Sequence, residues 1–174
     1  DSDKGPNTGG MGAICPTPLV TEELQSEVMD KVLLPVLRGM NAEGIKYSGV
    51  IYAGLMIHGK DFQVLEFNCR FGDPETQAIL PLMESDLLDL IEACVDGTLA
   101  NMSLQWYENK FCVSVVMASG GYPGSYKKGL PIRGLEDFDS KDKNLTVFHA
   151  GTRLLGQDIV TAGGRVLAVS AIAD

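Results

Sequence analysis

The fold of the first half is decided by the stretch Val64-Leu65-Glu66-Phe67-Asn68-Cys69-Arg70. It includes most of a strand-like run at 62–68, which the short turn His58-Gly59-Lys60-Asp61 separates from another strand-like run at 49–57. Two such runs joined by a glycine-containing turn predict a β-hairpin. The hairpin is therefore expected to be the central unit of the first half.

Glu66 and Asn68 stand two positions apart in the second strand of this hairpin. Alternate side chains of a strand share a face, so we expect these two on one face, with Leu65 and Phe67 pointing the other way into the core. A carboxylate and an amide oxygen so placed suit magnesium, which takes one or two protein ligands and completes its shell with phosphate oxygens and water. The alternative is a solvated strand face, since this spacing occurs freely.

A turn with dense mixed charge follows at Arg70-Phe71-Gly72-Asp73-Pro74-Glu75. The guanidinium of Arg70 can bind a carboxylate or a phosphate through two hydrogen bonds, and two carboxylates come directly after it. This arrangement suggests a small zwitterionic substrate. The alternative is a structural turn in which Asp73 caps a short helix expected near residues 75–83.

Residues 1–12 are polar and rich in glycine, which predicts a loop rather than a helix or strand. The segment Gly5-Pro6-Asn7-Thr8-Gly9-Gly10-Met11-Gly12 offers closely spaced backbone N–H groups of the kind that hold anionic oxygens. It is not a Walker A loop, because no Gly-Lys-Ser/Thr follows. A merely flexible loop is the alternative.

Two longer helices are predicted on either side of the hairpin. The first is capped by Thr21, bends at Pro35 and keeps an apolar face as far as Gly39. The second is capped by Ser85 and ends at Gly97. Five apolar residues are expected to form the buried face of the second helix: Leu87, Leu88, Ile91, Cys94 and Val95.

The last third of the chain is rich in β-forming residues. Three strand-like runs are separated by turns that contain glycine and proline: 111–118, 146–149 and 165–172. We therefore predict an α+β protein with a boundary after Tyr107, dividing it into domains 1–107 and 108–174.

Composition narrows the function classes. The formal charge of -9 over 174 residues leaves no basic stripe for a phosphate backbone, so nucleic acid is not expected as a partner. The longest apolar runs are far shorter than the roughly 20 residues of a spanning helix, so membrane insertion is not expected. The four cysteines form no C-x-x-C pair, which favours reduced thiols in the cytoplasm.

The first residue is Asp1 rather than Met, and the last strand-like run ends at the last residues, so we expect structure to be missing at both ends.

Three segments taken together closely resemble signature segments of the glycinamide ribonucleotide synthetases, which are ATP-grasp ligases. They are Gly-Pro-Asn-Thr-Gly-Gly-Met-Gly-Ala from Gly5, Tyr-Ala-Gly-Leu-Met from Tyr52, and Leu-Glu-Phe-Asn-Cys-Arg-Phe-Gly-Asp-Pro-Glu-Thr-Gln from Leu65. The resemblance continues through the later Gly-Gly-Tyr-Pro-Gly, Phe-His-Ala-Gly-Thr and Gly-Gly-Arg-Val-Leu segments. It therefore covers essentially the whole chain.

The resemblance implies the C-terminal half of an ATP-grasp domain followed by a small, mainly β, hybrid-motif domain whose role is expected to be structural. It implies an ATP-dependent ligase of purine biosynthesis that joins glycine to 5-phosphoribosylamine through a glycyl phosphate, with Mg²⁺ or Mn²⁺ as the cofactor. By the family pattern, Glu66 and Asn68 carry the metal, and Arg70 and Asp73 are catalytic. The implied substrate-binding residues are Asn7, Thr8, Gly9, Gly10, Met11, Gly72, Pro74 and Glu75.

Two departures from the ATP-grasp pattern bear on these expectations. The strand at 51–56 carries no carboxylate, so the metal is expected to have only two protein ligands. The N-terminal part of the same enzyme, with the nucleotide-gripping lysine, would precede Asp1, so the chain alone is expected to be inactive. The competing hypotheses are another ATP-grasp carboxylate–amine ligase and a non-catalytic ligand-binding fragment.

Overall fold

The computed structural model describes residues 4–138 and 142–174, and the first three residues of the predicted N-terminal loop lie outside this part. The α-helices are α1 Glu22–Val28, α2 Leu34–Ala42, α3 Thr76–Ile79 and α4 Leu87–Asp96. Single helical turns of other types lie at Met29–Leu33 (π), Leu80–Leu82 (3₁₀) and Leu99–Asn101 (3₁₀). The strands are β1 Gly12–Cys15, β2 Tyr52–His58, β3 Asp61–Asn68, β4 Phe111–Ala118, β5 Leu145–His149, β6 Thr152–Leu155, β7 Asp158–Thr161 and β8 Arg165–Ala173.

All strand pairs in the described sheets are antiparallel. A four-stranded sheet has the order β1-β4-β8-β5, and two further sheets are the hairpins β2-β3 and β6-β7. The three predicted C-terminal runs correspond to β4, β5 and β8, whereas the β6-β7 hairpin is not anticipated by the sequence. Its strands have four residues each, too few to show a clear alternation.

The chain folds into two compact units that interleave in sequence. The first comprises the N-terminal segment up to Cys15, Asp73–Leu82 and the chain from Glu108 onwards; the second comprises Pro16–Gly72 and Met83–Tyr107. One junction falls after Tyr107, where the sequence placed its boundary, but the first unit also contains two segments from before that residue. The linear division into 1–107 and 108–174 stays a prediction.

In the first unit, the four-stranded sheet buries one face. Along β4 the burial alternates, so that Cys112, Ser114 and Val116 are covered while their neighbours are exposed, as expected of a sheet packed on one side. Helix α3 and the 3₁₀ turn after it contribute Ala78 and Leu82 to this core. Three partly buried residues complete the cluster: Ala13, Cys15 and Ile172.

The predicted N-terminal loop ends in a strand rather than continuing through Gly12. Gly12 pairs with Val115 of β4, and a Cβ at this glycine would lie 2.9 Å from the carbonyl oxygen of Ser114. Tertiary pairing with a strand about a hundred residues away creates β1, and no local pattern predicts such a contact.

In the second unit, the first predicted helix is confirmed in position. Thr21 caps it by accepting a hydrogen bond from the backbone nitrogen of Leu24 at 3.2 Å. The helical path runs through the π turn into α2 and ends at Ala42, three residues beyond Gly39. Pro35 is the second residue of α2, which directly follows the π turn, and because proline has no backbone N–H it cannot donate to the preceding helical turn.

The second long helix differs from the prediction in its cap and in its buried face. Asp86 is the cap, accepting from the backbone nitrogen of Leu88 at 2.7 Å, because the hydroxyl of Ser85 accepts instead from the backbone nitrogen of Gln105 at 2.7 Å. The predicted buried face is wrong: Ala93 is buried, whereas Leu88, Ile91 and Val95 are exposed and Leu87 and Cys94 are half-buried. Gly97 ends the helix in the left-handed conformation, with φ of 73°, as predicted.

The predicted hairpin is confirmed as β2-β3, with His58 opposite Asp61 at its turn. The expectation that Leu65 and Phe67 enter the core is wrong, since they are 62% and 44% exposed. In the described part of the chain β2 and β3 form a two-stranded sheet, so their apolar face has too few neighbours to be covered. Within residues 4–138 and 142–174, no helix has the length and apolarity needed to span a bilayer.

Candidate active site

The predicted metal pair lies at the end of β3, in the second unit. The side-chain nitrogen of Asn68 donates to Oε1 of Glu66 at 3.0 Å, so the two side chains lie side by side on one face of the strand. Glu66 is exposed and Asn68 is half-buried. The polar ends of the two side chains are therefore within reach of one small ligand.

Gly54 makes room for this pair. It is directly opposite Glu66 in the β2-β3 register, and a Cβ placed on it would lie 3.1 Å from Cγ of Glu66. A β-bulge follows between Gly54 and Leu55, which re-aims the strand at this point. The sequence analysis did not assign a role to Gly54, although the glycine inside a strand pattern was a visible signal of close approach.

Two more predicted residues of the second unit follow the metal pair along the chain. Arg70 is exposed and donates from Nη1 to the carbonyl oxygen of Phe71 at 2.9 Å. Gly72 is buried. Cys69 lies between β3 and Arg70, and its hydrogen-bonding interaction with Tyr47, followed by desolvation, raises the pKa of the tyrosine, whose hydroxyl donates to the carbonyl oxygen of Val50 at 2.6 Å.

The remaining predicted residues lie in the first unit, where Asp73 has both carboxylate oxygens bonded to protein. Oδ2 of Asp73 accepts from Nη2 of Arg165 at 2.7 Å, and Oδ1 accepts from Nε2 of Gln77 at 2.9 Å. The carbonyl oxygen of Asp73 accepts from Nη1 of Arg165 at 2.8 Å. Pro74 is fully buried beside it. Glu75 is half-buried at the start of α3.

The N-terminal loop packs against this turn. The carbonyl oxygen of Gly10 accepts from Nη1 of Arg165 at 3.0 Å, and the backbone nitrogen of Gly9 donates to the hydroxyl of Tyr122 at 3.0 Å. A Cβ on Gly10 would lie 2.4 Å from Cδ of Pro74. The structure thus brings Gly9, Gly10, Asp73 and Pro74 together, while three other predicted loop residues are exposed: Asn7, Thr8 and Met11.

Tyr122 and Arg165 also contact the candidate site residues, and sequence reasoning did not single them out. Both lie in the part of the chain for which only a structural role was expected. A Cβ on Gly164 would lie 2.3 Å from Cδ2 of Tyr122, so the glycine beside Arg165 lets the tyrosine ring approach. The adjoining glycine pairs at 120–121 and 163–164 were the available signal.

The donor set fits a divalent ion with two protein ligands. Within residues 4–138 and 142–174, no cluster of three or more His, Cys, Asp or Glu side chains could enclose a metal. Glu66 and Asn68 carry hard oxygen ligands on adjacent side chains, with Glu66 exposed and Asn68 half-buried. Magnesium commonly binds through one or two such groups and leaves its other positions to phosphate and water.

Comparison with known sequences identifies the family. The phosphoribosylglycinamide synthetase ATP-grasp (A) domain matches residues 1–76, and the phosphoribosylglycinamide synthetase C domain matches residues 112–174. The chain belongs to the phosphoribosylglycinamide synthetase family. The predicted boundary after Tyr107 lies between the two matched ranges.

Relatives in the synthetase family match along the whole chain. A phosphoribosylamine–glycine ligase of Caldanaerobacter subterraneus subsp. tengcongensis is 52% identical over 174 residues, which make up 100% of this chain and 40% of that protein. The human trifunctional purine biosynthetic protein adenosine-3 is 51% identical over 172 residues, or 99% of this chain and 17% of that protein. The chain therefore spans less than half the length of these two relatives.

A solved synthetase structure confirms the fold. The crystal structure of phosphoribosylamine–glycine ligase from Thermotoga maritima superposes with a TM-score of 0.70 and 36% identity, covering 98% of this chain and 40% of that one. The predicted fold class, the C-terminal half of an ATP-grasp domain followed by a small β-rich domain, is confirmed by this similarity and by the two matched domains. Arg165, in the C-domain match, contacts Gly10 and Asp73, in the A-domain match.

Proposed function

We propose that the protein containing this chain joins glycine to 5-phosphoribosylamine at the expense of ATP, in purine biosynthesis. The observation that carries the proposal is the 52% identity, over every residue of this chain, to a protein named phosphoribosylamine–glycine ligase. The glycine carboxylate attacks the γ-phosphate of ATP, which forms glycyl phosphate and releases ADP. The amine of phosphoribosylamine then attacks the acyl carbon of the glycyl phosphate, which gives glycinamide ribonucleotide and releases phosphate. The chain spans 40% of that relative, so we expect it to need the rest of the enzyme for turnover.

In this proposal, Glu66 and Asn68 hold a Mg²⁺ or Mn²⁺ ion. The ion, when bound, neutralises charge on phosphate oxygens. Glu66 would offer the ion its carboxylate and Asn68 its amide oxygen. The amide nitrogen of Asn68 donates to Oε1 of Glu66 at 3.0 Å, so the two side chains are adjacent, and the amide would turn to present its oxygen. Gly54 keeps the space beside Glu66 open. We place the reaction in the cytoplasm, where free thiols persist.

Arg70 and Asp73 are the proposed catalytic residues: Arg70 supplies the charge that binds substrate, and Asp73 fixes the turn that follows Arg70. Arg70 is an exposed guanidinium that can bind the anionic glycyl phosphate through two hydrogen bonds. Asp73 keeps the turn rigid through its bonds to Arg165 and Gln77. The proposed substrate-binding residues line the glycine and phosphoribosylamine side: Asn7, Thr8, Gly9, Gly10, Met11, Gly72, Pro74 and Glu75. Holding two reactants in line supplies much of the rate enhancement in such reactions.

The test uses the full-length enzyme carrying Glu66→Gln. This change keeps the size of the side chain but removes its charge, so we expect the magnesium concentration for half-maximal ADP formation to rise about 10- to 100-fold. The assay follows ADP formation that depends on both glycine and phosphoribosylamine across a magnesium titration. Glu92→Gln, at an exposed glutamate on α4, is the matched control and should leave the titration unchanged.

Two outcomes would contradict the proposal. An unchanged magnesium dependence in Glu66→Gln would show that the end of β3 is a solvated strand face. ADP formation by the wild-type enzyme that requires a different acid in place of glycine would support another carboxylate–amine ligase instead.

A further inference from the structure

We propose that Arg165 is a positioning residue for the glycine and phosphoribosylamine side of the site. Its guanidinium bonds to two chain segments that are distant in sequence, the loop at Gly10 and the turn at Asp73. The inference rests on the proposed function, because those segments contain residues assigned to substrate binding. It adds a residue from the C-terminal β region, for which only a structural role was expected.

The hydrogen bonds of Arg165 show that it acts through the protein rather than on the substrate. Nη1 donates to the carbonyl oxygens of Gly10 and Asp73, which uses both of its hydrogens, and Nη2 donates to the Asp73 carboxylate. The side chain is only 24% exposed. Three of the five N–H groups of this guanidinium therefore bond to protein oxygens, and these bonds fix the relative positions of the loop and the turn.

Gly9 and Gly10 leave the space that Arg165 and Pro74 need to pack against the loop. A Cβ on Gly9 would lie 3.0 Å from Cζ of Arg165, and a Cβ on Gly10 would lie 2.4 Å from Cδ of Pro74. Gly9 also donates its backbone N–H to Tyr122, which anchors the loop on its other side. The loop therefore lies against Arg165, Pro74 and Tyr122 in one conformation, and its position sets where neighbouring backbone N–H groups point.

Lysine cannot reproduce this arrangement. An ammonium group is a point charge on a flexible stem, whereas the planar guanidinium presents donors in a fixed fork to two carbonyls and a carboxylate together. Arg165→Lys should keep an ion pair with Asp73 but release the loop at Gly10. A displacement of about 1 Å in groups that position a substrate can reduce turnover by roughly 10²-fold.

The experiment compares Arg165→Ala, Arg165→Lys and the control Arg133→Ala in the full-length enzyme. Arg133 also forms an ion pair, with Asp158 at 2.9 Å, but its side chain is 70% exposed. The first readout is amide hydrogen exchange of the segment 5–12. The second is the set of KM values for glycine, phosphoribosylamine and ATP, and the third is rescue of Arg165→Ala by added guanidinium ion.

We expect both Arg165 variants to exchange segment 5–12 faster and to raise KM for glycine or phosphoribosylamine at least about tenfold, with KM for ATP unchanged within about twofold. Guanidinium should restore part of the loss in Arg165→Ala, and Arg133→Ala should match wild type. The proposal is overturned if Arg165→Ala behaves like Arg133→Ala, or if exchange rises throughout the protein and all three KM values rise together. If wild type forms no ADP with glycine and phosphoribosylamine, the proposed function fails, and the exchange of segment 5–12 still decides whether Arg165 holds the loop.

Discussion

Replacing Gly10 by alanine tests the packing of the N-terminal loop on the Asp73–Pro74 turn. The added Cβ would lie 2.4 Å from Cδ of Pro74 and 3.2 Å from the carbonyl oxygen of Asp73, so the contact must open by about 1 Å to reach the 3.4 Å of an ordinary contact. Pro74 is fully buried and its ring cannot rotate away. Overpacking of this kind costs about 1–3 kcal/mol, and the reduced freedom of the unfolded chain returns about 0.4–1 kcal/mol. We expect a net loss of roughly 1–2 kcal/mol.

Gly39→Ala is the matched control for Gly10→Ala, because it adds the same methyl group where nothing lies within 4 Å. Gly39 is inside α2, where alanine is favoured over glycine by about 0.8–1 kcal/mol. The same substitution should therefore destabilise at one glycine and stabilise at the other. The measurement is denaturant unfolding of both variants and wild type in the full-length protein, together with hydrogen exchange of the loop and of α2. If Gly10→Ala is as stable as wild type and its loop exchanges no faster, the described packing of Gly10 on Pro74 is wrong.

Three further predictions follow from single contacts. Asp86→Ala removes the cap of α4 and should cost about 1 kcal/mol, measured by urea unfolding; an unchanged midpoint would contradict the cap. Gly54→Ala places a methyl group 3.1 Å from Cγ of Glu66 and should raise the magnesium requirement without large loss of stability; an unaltered titration would show that the carboxylate can move aside freely. Burial raises the pKa of the Cys112 thiol and also keeps iodoacetamide away from it, so at about pH 8 the reagent should label exposed Cys69 in the folded protein and Cys112 only after unfolding in denaturant, as read by mass spectrometry; equal rates in the folded protein would contradict the burial.

The sequence predicted well those features that depend on short spacing. Glu66 and Asn68 lie on one strand face because their separation of two residues matches the period of a strand, and the structure shows them in contact. The cap at Thr21 and the stop at Gly97 likewise depend on local backbone hydrogen bonds and conformation, which neighbouring residues determine.

The sequence predicted poorly the burial of side chains, which depends on whether another segment packs against the helix or strand that carries them. Leu88, Ile91 and Val95 have the spacing of a buried helical face, yet they are exposed in the described chain. Periodicity shows which side chains share a face, and it does not show that another segment covers that face. The prediction for Leu65 and Phe67 was wrong for the same reason. They alternate along β3 with Glu66 and Asn68 as expected, but their side chains are exposed.

The contacts of Arg165 explain why the site itself could be predicted only in part. Its partners Gly10 and Asp73 lie 155 and 92 positions away in sequence, and no spacing rule reaches so far. The sequence does show why such a contact is sterically possible. Gly9 and Gly10 have no side chains, so the Arg165 guanidinium and the Pro74 ring can pack directly against the loop backbone. A glycine pair in a loop is therefore better understood as a place where other chain segments approach than as a sign of flexibility. A substitution at Gly10 or Arg165 should therefore act by moving the N-terminal loop away from the Asp73–Pro74 turn, not by removing a group that binds a ligand.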